Sequence, residues 1–63
     1  MDDLINKEVK LYLDNILVSQ GKLLRSIRDE DYYMVDSNDF YDWLFTSNQV
    51  IDISGNKIFI KFP

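Results

Sequence analysis

Hydrophobic positions recur along this chain with two different periods. Over residues 3–20, Ile5, Val9, Tyr12, Leu13 and Ile16 fall at helical spacing and predict an amphipathic helix. Asp2 or Asp3 stands where a cap and a negative charge favour the helix start. Gly21 follows as a left-handed residue able to end it. A second stripe, Leu4, Leu11 and Val18, repeats every seven residues on another side. It asks for extra core or for a second subunit, which makes these three the candidate oligomer contacts.

Residues 22–36 admit two readings. Leu23, Leu24 and Ile27 fit a short helix, and Leu23, Arg25 and Ile27 alternating with Leu24, Ser26 and Arg28 fit a strand. The helix is the preferred reading, followed by an acidic loop at Asp29, Glu30 and Asp31. Tyr32 to Val35 then favour a short strand, because aromatic and β-branched side chains suit a pleated surface. Residues 37–47 predict a second helix, with Asp36 or Ser37 as cap and Asp39 in its first turn. It would turn Phe40, Trp43, Leu44 and Ser47 to one side and Tyr41 and Phe45 to another. The bland reading plugs it into the core; the sharper one leaves Tyr41 or Phe45 outside as an anchor.

Residues 49–62 alternate with period two around Gly55-Asn56, a favoured hairpin loop. The loop would pair Ile53 with Ile58, Ile51 with Ile60 and Gln49 with Phe62 on one face. Asp52 would face Phe59, and Val50 Lys61, on the other. The expected fold is therefore α+β: one small domain over residues 1–63 with an N-terminal amphipathic helix, a short central element, an aromatic-rich second helix and a C-terminal antiparallel hairpin. That element order is also that of a winged helix.

Composition narrows the class. With 63 residues the chain holds one domain of thin stability. It has no Cys, so neither a disulfide nor a thiolate metal site can help, and no His. A hydrophobic fraction of 46% suits a packed domain. No apolar run reaches the roughly 18 residues of a membrane span, and the acidic start MDDLINKE is unlike a signal peptide. A cytoplasmic protein is expected, and the initiating Met and length read as a complete small reading frame. The lack of Ala beside abundant Ile, Asn, Lys, Tyr and Phe is the bias of AT-rich coding.

Charge changes the picture further. The formal net charge is −4, but residues 29–56 carry seven acidic side chains and no basic one. Six of these acids, Asp29, Glu30, Asp31, Asp36, Asp39 and Asp42, are interleaved with Tyr32, Tyr33, Phe40, Tyr41, Trp43 and Phe45. The expected partner-binding residues are Asp29, Glu30, Asp31, Tyr32, Asp36, Asp39, Tyr41, Asp42 and Phe45: aromatics for anchor energy, carboxylates for steering.

Catalysis is not expected. Ser–His and Cys–His pairs are ruled out by composition, and paired carboxylates need a larger cleft than so short a chain offers. Asp36-Ser37-Asn38-Asp39 begins like a calcium loop but puts Phe40, Tyr41 and Ser47 at positions five, six and twelve, so no metal and no cofactor is expected. Direct nucleic-acid binding is disfavoured, since the would-be recognition helix carries Asp39 and Asp42 and no basic residue. The leading expectation is a non-enzymatic protein–protein interaction module that meets a basic, nucleic-acid-binding surface of another protein. Its size and charge are those of small phage- or mobile-element-encoded inhibitors such as DNA mimics and anti-CRISPR proteins, a likeness of class. The alternatives are a homo-oligomeric or structural subunit, and a small winged-helix regulator contacting DNA through Lys22, Arg25, Arg28, Lys57 and Lys61.

Overall fold

A computed structural model describes residues 1–28, 31–37 and 43–62 of the chain. They form six strands: β1 (Glu8–Leu13), β2 (Ile16–Arg25), β3 (Tyr32–Asp36), β4 (Trp43–Thr46), β5 (Val50–Ser54) and β6 (Lys57–Ile60). All belong to one sheet in the order β4-β3-β2-β1-β6-β5. Every pairing is antiparallel except that of β1 with β6. Among the described residues the helical pieces are two short 3-10 turns, Asp2–Leu4 and Ser47–Gln49. The fold is mainly β, so the α+β expectation, with its two helices and winged-helix order, does not hold.

The helix expected over residues 3–20 is instead a hairpin. Asp14 and Asn15 sit at φ values of 51° and 64°. That left-handed pair makes a two-residue type I′ loop, which Asp and Asn tolerate better than most side chains. Val9, Leu11 and Leu13 then alternate inward along β1 while Lys10 and Tyr12 face the other way. Leu11 pairs with Ser19 and Tyr12 with Leu17, so Val18 is the extra residue of a bulge that bends β2. The Leu4, Leu11, Val18 stripe therefore does not exist as a surface: Leu11 is fully buried, and Leu4 and Val18 pack against the core from its margin.

The short helix expected after Gly21 is the continuation of β2, and Tyr32 to Asp36 form a strand. The second expected helix is also absent where the structure describes it. Asp36 ends β3 instead of capping a helix, and Trp43–Thr46 is extended as β4. Its remaining part, residues 38–42, lies outside the described residues. The C-terminal hairpin forms around Gly55-Asn56, with Ile53 opposite Ile58 and Asp52 opposite Phe59 as expected. Gly55 takes φ 61°, the left-handed first position of a type II′ loop. Farther from the loop the register slips by one: Ile51 is bulged, and Val50 takes its place opposite Ile60.

One sheet must supply both walls of the core. A flat sheet is a single layer about 10 Å thick. The smallest extent of this molecule is 22 Å, against a largest of 26 Å, so the sheet is rolled onto its own concave face. Inside lie Val9, Leu11, Leu13, Leu23, Tyr33, Val35, Phe45, Ile58 and Ile60. Each large one is worth about 1.5–3 kcal/mol relative to exposure.

The roll depends on Gly21. It is not left-handed, as a helix-ending residue would be; it sits buried in mid-β2, opposite Val9. A methyl group there would collide with the carbonyl of Asp36, where β3 ends over it. The colliding atoms are backbone and cannot swing aside. Gly21→Ala is expected to cost about 2 kcal/mol or more, read as a lower urea midpoint at equal protein concentration; an unchanged midpoint would show that the β2–β3 contact yields freely.

Candidate functional site

The convex face carries a charged row in its middle, a stack of Tyr12 on Phe59 across β1 and β6, and an apolar row towards β4. In the middle, register places Glu8, Lys22 and Asp36 side by side across β1, β2 and β3, an alternating charge row suited to water. Next to it, Leu24, Met34 and Leu44 stand in register across β2, β3 and β4. These three lie outside the core because their neighbours Leu23, Val35 and Phe45 already fill the inner face. Leu44 is 53% exposed, and Ile27 beside them is fully exposed.

The N-terminal segment supplies the far wall. Asn6 takes φ 70°, a conformation Asn accepts. Its N–H donates to the Leu23 carbonyl at 2.7 Å, and the Leu23 N–H returns to the Lys7 carbonyl at 3.0 Å. This clips Ile5 and Asn6 to the end of β2. The result is an open groove of about 670 Å³ lined by Ile5, Leu24, Ile27, Met34 and Leu44, with Arg25 and Arg28 among its walls.

Arg25 is held in place. Its guanidinium donates to Asp2 Oδ1 at 2.8 Å and to the Tyr33 hydroxyl at 3.2 Å, and lies 5.0 Å from the Tyr33 ring centroid. The Tyr33 hydroxyl donates to the same Asp2 oxygen at 3.1 Å, and its ring stacks on Phe45 at 5.8 Å. The ion pair alone is exposed and worth little; joined to a buried ring it ties the N-terminal turn, the groove wall and the core together. At the other rim the Arg28 N–H donates to Ser26 Oγ at 3.3 Å, and the Ser26 N–H to the Tyr32 carbonyl at 2.9 Å, fixing the turn that carries Arg28. Such a groove accepts apolar side chains and, beside Arg28, a carboxylate.

The acidic residues expected to share one face are separated where they are described. Asp31 precedes β3 and Asp36 ends it, about 16 Å apart along an extended strand. Tyr32 is exposed at the start of β3, on the face of Met34. Phe45, expected as a surface anchor, is fully buried. Asp29, Glu30, Asp39, Tyr41 and Asp42 lie outside the described residues. Of the five basic residues of the DNA-regulator reading, Lys22 stands between Glu8 and Asp36, and Arg25, which lines the groove with Arg28, is tied to Asp2. Among the described residues no three carboxylates come together as a metal site, and no helix is long and apolar enough to cross a membrane.

Sequence reasoning missed the groove. Its signal was the alternation of Leu23 with Leu24 and of Phe45 with Leu44, which identifies an outer apolar row only once β2, β3 and β4 are read as neighbouring strands.

Burial, then the hydrogen bond to Asp2, raise the Tyr33 hydroxyl above its ordinary value near 10, with Arg25 opposing. The neutral phenol is thus favoured in the folded state. Its contribution to stability is complete below about pH 10 and is lost as pH rises through the folded-state value. Tyr33→Phe is expected to remove about 1 kcal/mol at neutral pH and to flatten the alkaline fall in urea midpoint. Equal alkaline slopes in both proteins would contradict this. Compared with family models, curated proteins and solved structures, the chain matches none, so the likeness of class to phage-encoded inhibitors gains no support and is set aside.

Proposed function

We propose that this chain is a non-enzymatic protein–protein interaction module whose contact surface is the convex groove. The observation that carries the reading is the outward row of Leu24 and Met34, partly exposed, and Leu44, half exposed, beside the fully exposed Ile27. Leaving such side chains in water forgoes their burial energy, and a contiguous apolar patch rimmed by polar groups is the mark of a binding surface. The polar rim defines the partner. Arg28 favours a segment with apolar anchors and a neighbouring carboxylate.

The acidic residues expected to meet a basic partner provide the competing arm of the experiment. Tagged wild-type protein, a Met34→Lys variant and an Asp31→Asn, Asp36→Asn double variant are used to capture partners from cell extract under rising salt. A protein recovered with the wild type is expected to be lost at least tenfold with Met34→Lys and retained with the double variant. All three positions are at least partly exposed, so cooperative urea unfolding should persist in each. Recovery indifferent to Met34→Lys but abolished by the Asn changes would overturn the groove as the contact surface.

A further inference from the structure

The two edges of the sheet are built differently. β5 is defended: Ile51 is bulged out of register, and the Asp52 carboxylate accepts the Ile53 N–H at 2.9 Å. In a hairpin closed by Ser54 and Lys57, that N–H faces away from β6. A bulge and a charge are the usual devices against strand addition. β4 reads Trp-Leu-Phe-Thr, without a charge, a proline or a break in its register with β3.

The ladder shows which groups β4 presents. The Thr46 N–H goes to Gln49 Oε1 at 2.9 Å, and the Tyr32 carbonyl is taken by Ser26 of the neighbouring hairpin. Tyr32 and Thr46 are therefore a pair without cross-strand hydrogen bonds. By antiparallel alternation Tyr33 and Phe45 are bonded, and Met34 and Leu44 are not. The N–H and C=O of Leu44 accordingly point out of the sheet edge, at the place where the apolar convex row runs off it.

We infer that β4 pairs with β4 of a second copy of this chain, antiparallel, about a two-fold axis at Leu44. The choice of a second copy follows from self-complementarity. Each Leu44 offers one donor and one acceptor, and about a two-fold axis they satisfy each other. The two rows of Leu24, Met34 and Leu44 become one continuous row across both sheets, and no charged side chain of β4 faces its own image. The edge is short, below the size of a standard stable interface, so association is weak and concentration-dependent. The inference concerns the β4 edge, where the convex row ends, and leaves the groove face itself to the partner proposed above.

Sedimentation equilibrium of the full chain from about 10 µM to about 1 mM tests it. The wild-type mass is expected to rise towards twice that of the chain. Leu44→Lys and Leu44→Glu each hold it at the monomer, with far-UV circular dichroism and urea midpoint little changed because Leu44 is half exposed. An equimolar mixture of the two variants regains the dimer, because opposite charges then face each other across the axis, and 1 M salt weakens it. A wild type monomeric throughout overturns the inference, as does a dimer indifferent to Leu44→Lys. Neither result touches the groove reading, which fails only if Met34→Lys leaves partner capture unchanged.

Discussion

A single sheet with nothing stacked on it can bury a face only by curling around it. Every other feature of this molecule follows from that constraint. Six strands supply the inner residues, and the bulges at Val18 and Ile51 and the bare backbone of Gly21 let the strands bend enough to bring those residues together. The N-terminal turn closes one end, tied by the Asp2, Arg25 and Tyr33 hydrogen bonds. Near the end of β4, Gln49 accepts the Thr46 N–H and donates to the Lys61 carbonyl, joining β4 to the segment after β6.

Curling settles one face, and among the described residues the other has no covering layer. Layered folds pack helices or a second sheet on such a surface. Here its middle is made water-compatible by Glu8, Lys22 and Asp36, while the β4 side stays apolar. Charge and the row proposed for contact thus fall in different places on the same face. A −4 chain gains colloidal stability from its charges, and none of them stands in the row Leu24, Met34 and Leu44.

What could be read from the sequence was the local part. Gly55-Asn56 between two alternating runs announced a hairpin and its first two pairs. The same logic applied to residues 8–25, but Tyr12-Leu13 and Ile16-Leu17 put apolar residues on both parities and mimic helical spacing. Asp14-Asn15 has no glycine to mark the left-handed turn it makes. Trp43-Leu44-Phe45 is apolar on both sides because both sides are used, Phe45 inward and Leu44 outward, and a run apolar all round reads equally as a buried helix. The groove is a property of register: Leu24, Met34 and Leu44 are ten positions apart in the chain, and only strand pairing makes them neighbours.

The pairing of β1 with β6, Lys10 beside Lys57 and Leu13 beside Ile60, joins the two ends of the chain at the centre of the sheet. It has a kinetic consequence. The entropy of closing that long loop is spent before the innermost strand gains its second neighbour. Until then the β1–β2–β3–β4 meander is a sheet with β1 as an open edge and its inner face unfilled by Ile58 and Ile60. Folding should therefore be slow for so short a chain and close to all-or-none, with docking of the last hairpin as the committing step and the unfinished meander as the species most prone to aggregate.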